Sequence, residues 1–393
     1  MFKIHDIYSA MAPLYFVSKV LGLAPYSYAQ TQSGSHAVRP SSVSSILWTL
    51  FVTALMLVLF LHISFFKFLR LSPGLSASYL IVFGLQKISL LLSCFVFLLS
   101  GVTTNRSKIR KVMEMLSAID EMLIRNKRVH VYKKEFYTLL AHILLVTSVL
   151  MYMFYCYVAR DLGFRNILYS VYYVLTLFIN SVGLIRFVFL LRILKLGFKI
   201  TGEELKMLET NPVKTTTFFN FTITLSDNSR CDKQLCTVFA LRSLHFKLFE
   251  LGRTVNSSYG LLMLIETVHN FLSAVSLVDI TVTLLDREEY VNTTVYYMCW
   301  LTYYAIKTSF LMLTSHLTCS ESRKLIAILY KLLLRPDLHH CCEKQIRLFV
   351  MQVINNGTQF TAAGIFPLDL PTLHSIVSAT TMYIIVLQQL KQT

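Results

Sequence analysis

Seven polar residues stand inside otherwise apolar stretches of this chain: Gln86, Lys87, Asn180, Glu266, His269, Asp279 and Lys307. In hydrocarbon an ionisable side chain is costly unless it is paired or wet, so each marks an internal ion pair or the wall of a water-filled cavity. Lys87 and Asp279 suit either use, pairing with each other or facing a bound molecule. Aromatic side chains crowd one end of the same stretches: Tyr79 and Phe83, Tyr152 and Tyr155, Tyr169, Tyr172 and Tyr173, then Tyr297, Trp300, Tyr303 and Tyr304. A belt of Tyr and Trp at a membrane interface explains about half of them. Others, Trp300 among them, lie at the level of Asp279, and aromatic faces beside a carboxylate suit a polyol or a protonated alkaloid. Catalytic constellations are missing. The chain has no Gly-x-Gly, no Walker sequence, no His-Glu-x-x-His and no Gly-x-Ser-x-Gly, so neither an enzyme nor a cofactor is expected. In His339-His340-Cys341-Cys342 four adjacent side chains cannot easily all reach one ion, and no second cluster matches it, so no metal is expected. Cys341 and Cys342 are candidate palmitoylation sites instead.

The elements that position these residues follow from composition. Of 393 residues 55% are hydrophobic and 15% charged, and the mean hydropathy is +0.57, which describes an all-α polytopic membrane protein and not a soluble domain. The scarcity of Gly (13) and Pro (8), with only 8 Cys, excludes a collagen-like fibre, a disordered tail and a disulfide scaffold. No cleavable signal peptide is expected, because Lys19 and two prolines break the first apolar stretch. Seven later runs approach or exceed the roughly 20 apolar residues that cross a bilayer. They are 45–66, 77–102, 136–158, 167–193, 257–285, 295–319 and a shorter 372–390.

A net charge of +16 raises nucleic acid as a partner, but the distribution of the charge argues for a membrane instead. Twenty-seven Lys and Arg lie in the N-terminus and in segments 103–135, 194–256 and 320–371, against six in the alternate loops and the C-terminal tail. Basic segments stay in the cytoplasm, which predicts a cytoplasmic N-terminus and, after seven crossings, an extracellular C-terminus. The Asn292 sequon then falls outside and is the expected glycosylation site, while those at Asn105, Asn220, Asn256 and Asn356 fall inside. Arg186 and Arg192, near the inner end of the fourth run, are expected to snorkel to the headgroups.

Between the runs, 107–129, 324–334 and 344–354 carry apolar residues at helical spacing. Such stripes can lie on the inner leaflet or pack on one another, and their recurrence in separate segments favours a packed cytoplasmic domain. The chain therefore divides into a cytoplasmic segment 1–44, a six-helix bundle with cytoplasmic extensions 45–319, anchor helices 320–371, and a last helix with a short extracellular tail, 372–393. Asn355-Asn356-Gly357 ends one helix, and Pro367 and Pro371 set the last helix apart on a hinge. Asp369 is expected to cap it. Ser375, Ser378, Met382, Ile385 and Gln389, three or four residues apart, share one of its faces. Hydroxyls and an amide in hydrocarbon need a polar neighbour or water, so that face is a helix–helix interface or a pore wall.

The same C-terminal stretch resembles the signature of insect gustatory receptors, Thr-Tyr, five mostly hydrophobic residues and Gln-Phe. Here it reads Met382-Tyr383-Ile384-Ile385-Val386-Leu387-Gln388-Gln389-Leu390, with Met382 where the family usually has Thr and Leu390 where it usually has Phe. Related odorant co-receptors also close on Gln-Leu. Phe360-Thr361-Ala362-Ala363-Gly364-Ile365-Phe366-Pro367-Leu368-Asp369 and Thr372-Leu373 are similar to the family's preceding stretch, and Gly22-Leu23-Ala24-Pro25 to a short N-terminal element. The resemblance implies a ligand-gated, poorly selective cation channel of four subunits in the plasma membrane, a homotetramer or an assembly with related receptors, opened by a small tastant. It implies that Ser375, Ser378, Met382, Ile385, Val386, Gln389 and Leu390 line the pore. The implied ligand pocket lies in the outer half of the first six spans, with Lys87, Tyr152, Tyr155, Tyr172, Tyr173, Asp279, Tyr297, Trp300 and Tyr304 as candidates, coupled to the pore through the fifth span. A seven-helix G-protein-coupled receptor has the same span count but needs its N-terminus outside. The third span lacks an Asp-Arg-Tyr-like end, and the single Asn-Pro, Asn211-Pro212, lies in a loop. A secondary transporter would interrupt helices in both halves of the chain, and only one break, near residue 357, is found.

Overall fold

The computed structural model describes residues 6–24, 27–30, 36–39, 43–68, 77–103, 105–124, 129–159, 164–210, 230–285, 291–336 and 340–392. Among them helices carry the fold: α1 (Ile7–Val20), α2 (Val43–Phe68), α3 (Ala77–Ser100), α4 (Asn105–Ile124), α5 (Val129–Val158), α6 (Phe164–Thr210), α7 (Arg230–Leu285), α8 (Val291–Leu333), α9 (His340–Asn355) and α10 (Leu370–Gln392). Two antiparallel ribbons complete it, β1 (Ser27–Gln30) with β2 (His36–Arg39), and β3 (Thr361–Ala362) with β4 (Phe366–Pro367). The seven apolar runs fall on α2, α3, α5, α6, α7, α8 and α10. By length and composition four stretches among the described residues can cross a membrane: Val43–His62, Tyr132–Val158, Ile167–Leu208 and Gln234–Val282. Gly84–Ser100 and Leu370–Val386 are shorter apolar stretches. Tyrosines and Lys307 lower the hydropathy of α8 without shortening it.

The 47, 56 and 43 residues of α6, α7 and α8 reach about 70, 84 and 65 Å at 1.5 Å per residue, far beyond a hydrocarbon core of roughly 30 Å. Much of each must stand in water, and there the amphipathic helices pack. Ile109, Val112, Met113, Leu116 and Ile119 of α4 are buried, with α7 as the main partner. Ile346, Phe349, Val350 and Val353 of α9 are buried against α7 and α8. The stripes thus cover one another, which removes more apolar surface from water than a leaflet contact on a single face.

The N-terminal segment holds a helix that the apolar pattern hides, since Pro13 and Lys19 interrupt it. Asp6 caps α1 by accepting from the Ser9 amide at 2.8 Å. Ile7, Tyr8, Met11 and Leu14 are buried, and the Tyr8 hydroxyl donates to the Met113 carbonyl at 2.9 Å. Gly22 follows with φ 76°, a conformation that suits glycine. The Gly22 carbonyl accepts from Thr49 Oγ1, and the Leu23 carbonyl from Arg186 Nη1, each at 2.8 Å. Arg186, 8% exposed, therefore does not snorkel. Nor does Arg192, whose Nε and Nη2 donate to the Glu135 carboxylate at 2.8 and 3.1 Å. Acceptors folded within reach hold both guanidiniums inside the protein.

Close approaches set the remaining geometry. A Cβ on Gly183 of α6 would overlap the Phe97 ring of α3. Gly260 of α7 lets the β3–β4 turn come down on it, where a Cβ would lie 3.1 Å from the Ala363 amide nitrogen. That turn places Ala363 (φ 53°) and Gly364 (φ 79°) in left-handed conformations, at a cost of about 1–3 kcal/mol for the alanine. Asn256 offsets it by clamping Thr361, accepting from its amide at 2.8 Å and donating to its hydroxyl at 3.2 Å.

Candidate functional site

A polar network ties four helices together, α3, α6, α7 and α8. Glu266 of α7, fully buried, pairs with Lys307 of α8 and accepts from Ser93 Oγ of α3 at 2.7 Å. One turn along α7, His269 Nδ1 lies 3.1 Å from Ser89 Oγ, while its Nε2 lies 3.4 and 3.5 Å from Ser273 Oγ and Tyr304 Oη. Gln86 donates to Ser273 Oγ at 3.2 Å, and the Tyr304 and Tyr173 hydroxyls meet at 3.1 Å. Four of the seven polar residues in apolar runs thus find partners in two pairs, Glu266 directly with Lys307, and Gln86 with His269 through Ser273. Asn180, fully buried on α6, has no hydrogen-bond partner for its amide among the described residues.

A groove of about 790 Å³ opens between α5, α6 and α8. Val149, Met153, Leu184, Ile185, Ile306 and Phe310 make most of its wall, with His142, Ser181, Tyr303 and Lys307 as polar points. The Ser181 and Tyr303 hydroxyls are 2.7 Å apart. Such a volume holds a drug-sized organic molecule. Lys307 belongs to both structures, since the ammonium that lines the groove also holds Glu266.

The candidates for ligand contact fall in several places. Lys87 Nζ stands 4.3 Å from the Tyr173 ring centre and 5.3 Å from that of Tyr169. Tyr173 meets Trp300 edge-on at 5.4 Å, and Trp300 lies 6.3 Å from Tyr304. Lys87, Tyr173, Trp300 and Tyr304 therefore share one aromatic cluster, with Trp300 and Tyr304 buried in its core. Tyr152 lines the groove. Tyr155, 69% exposed, lies off it; Tyr172 is buried beside Phe60 of α2, and Tyr297 stacks edge-on with Tyr296. Asp279 is half-buried on α7 and does not line the groove. Tyr303, Lys307, Met153 and His142 were not among the candidates. Their signal was spacing: Cys299, Tyr303, Ile306 and Phe310 recur every three or four residues on α8, as do His142, Val146, Val149 and Met153 on α5, while Lys307 stood out only as a costly residue in an apolar run. The side chains of Asn292, Leu390, Tyr79 and Phe83 lie outside the described residues.

At the other end of the chain, Asp369 caps α10 by accepting from the Thr372 amide at 3.0 Å. The helix rests on α7 and α8, with Leu373 and Ile376 packed against the core. Its other face is uncovered: Ser375, Ser378 and Gln389 are exposed, and so are Met382, Ile385 and Val386.

The fold and the uncovered capped helix define an all-α, multi-pass membrane protein. The family model of the 7tm chemosensory receptors matches residues 11–393, and the chain belongs to that family. Its members are chemosensory receptors, not enzymes. Among solved structures, the insect olfactory receptor OR5 from Machilis hrabei superposes with a TM-score of 0.63 at 14% identity, covering 97% of both chains. The same receptor in complex with eugenol gives a TM-score of 0.62 at 14% identity over 98% of both. At this identity the likeness establishes the fold alone. No curated protein matches the sequence.

Proposed function

We propose that the chain is a gustatory receptor, acting as a ligand-gated, non-selective cation channel of four copies in the plasma membrane. The observation that carries this reading is the open face of α10, whose exposed Met382, Ile385, Val386 and Gln389 fall in the stretch whose sequence resembles the gustatory signature. Four such faces around an axis present Met382 and Ile385 as a constriction and Gln389 as a polar ring. Segment 320–371 then acts as the anchor and 45–319 as the ligand-binding bundle. The basic segments fix the N-terminus in the cytoplasm and the C-terminus outside.

The ligand is an apolar, neutral organic molecule. The groove's wall is largely aliphatic and aromatic, and its two cations, Lys307 and Arg192, are engaged by Glu266 and Glu135. A sugar's many hydroxyls would lose water there without replacement hydrogen bonds. The odorant receptor solved with eugenol is compatible with this chemistry. A ligand that displaces Tyr303 or Lys307 pulls on Glu266, and so moves α7 against α10.

The orientation separates this reading from a G-protein-coupled receptor. An epitope tag placed after Thr393 is expected to bind antibody on intact cells that express the protein. Surface-delivered protein labelled only after permeabilisation would place the C-terminus inside and overturn the channel reading.

A further inference from the structure

Behind the α10 helix lies a second cavity of about 280 Å³, bounded by α7, α8 and α10 and open on one side. It shares no residue with the groove. Cys299, Tyr303 and Ile306 face the groove from α8, whereas Leu301, Tyr304, Ala305 and Thr308 face the cavity from the opposite side of that helix.

Asn270 on the cavity wall is 3% exposed, and neither its Oδ1 nor its Nδ2 has a hydrogen-bond partner among the described residues. A primary amide can donate two hydrogen bonds and accept two, and leaving it unpaired in an apolar setting costs on the order of 2–7 kcal/mol. The hydroxyls of Thr267 and Thr380, also on the wall, donate to the Met263 and Ile376 carbonyls at 2.7 and 2.8 Å, so each keeps its oxygen as an acceptor. The polar side of the cavity thus matches one hydroxyl group. Phe271, Leu373 and Ile376 supply an apolar remainder. At roughly 30 Å³ for each water-sized group the space accommodates about nine heavy atoms.

We propose that this cavity is a second binding site, taking a small neutral alcohol or phenol whose hydroxyl pairs with Asn270. Because α10 leans on α7 and α8 at this place, an occupant wedges between that helix and its supports. A molecule that binds one position of α10 better than another shifts the balance between them. Its effect on current rests on the pore reading; its binding does not.

The test is photolabelling of the purified full-length protein in detergent with an octanol that carries a diazirine. Label is expected on peptides spanning 267–274 and 373–380, suppressed at least several-fold by excess unlabelled octanol. Asn270→Leu is expected to reduce it by a similar factor. Ala305→Phe fills the space from an exposed position without removing a side-chain contact, and decides the matter if the first variant fails to fold. Label confined to the groove between α5, α6 and α8, label that excess octanol does not suppress, or label unchanged in the folded variants would overturn the proposal.

Discussion

Glu266 and Lys307 cost free energy to bury and return it only while both are present. Lys307→Met strands the carboxylate with Ser93 alone and is expected to destabilise the protein by about 3–5 kcal/mol. Removing both charges in Glu266→Leu with Lys307→Met is expected to restore most of the loss, read as the thermal unfolding midpoint of purified protein. A double variant as unstable as the single one would show that the charges are not coupled. The pair was legible as two costly residues in apolar runs. Ser93 was not, because a serine in a membrane helix commonly bonds its own backbone and carries no sign of a distant partner. Arg186 and Arg192 were misread for the same reason: their acceptors, Leu23 and Glu135, lie 163 and 57 residues away in sequence. Nothing local distinguishes them from guanidiniums that reach headgroups.

Helices joined across the polar end of the bundle carry a different sensitivity. His245 of α7 lies well before the membrane run at 257–285, among the charged residues Arg242, Lys247, Glu250 and Arg253. It is fully buried between Phe198 of α6 and Phe349 of α9, with ring centres at 5.8 and 5.5 Å. Gln352 Nε2 donates to the Arg242 carbonyl at 3.0 Å, which fixes the amide's orientation, and it also donates to His245 Nδ1 at 3.1 Å. Removing the ring in His245→Ala leaves a cavity between α6, α7 and α9 and is expected to cost about 2–5 kcal/mol, read as the thermal unfolding midpoint of purified protein. An unchanged midpoint would remove His245 as a joint between these helices. At this scale the apolar runs and the stripes of α4 and α9 were legible as helices. The continuation of α6 to Thr210 and the start of α7 at Arg230 were not, because charges interrupt the apolar periodicity there. For α1, Pro13 and Lys19 had the same effect.

Across the whole molecule, α8 divides the two spaces. One face looks into the groove and the other toward α10, with Lys307 and Glu266 linking it to α7. On the proposed function, a shift begun by a ligand in the groove would travel toward the uncovered helix through this ion pair, which is buried away from water. This route matters for conduction only if the open face of α10 meets the permeating ions. The direct test is Ile385→Cys in purified protein reconstituted into planar bilayers. A positively charged, membrane-impermeant thiol reagent added on the side of the C-terminus is expected to block most of the cation current evoked by a tastant panel that includes eugenol, while leaving the parent protein's current unchanged. A current in Ile385→Cys that survives the reagent undiminished, or no cation current from the reconstituted protein across the panel, would contradict a pore built on α10.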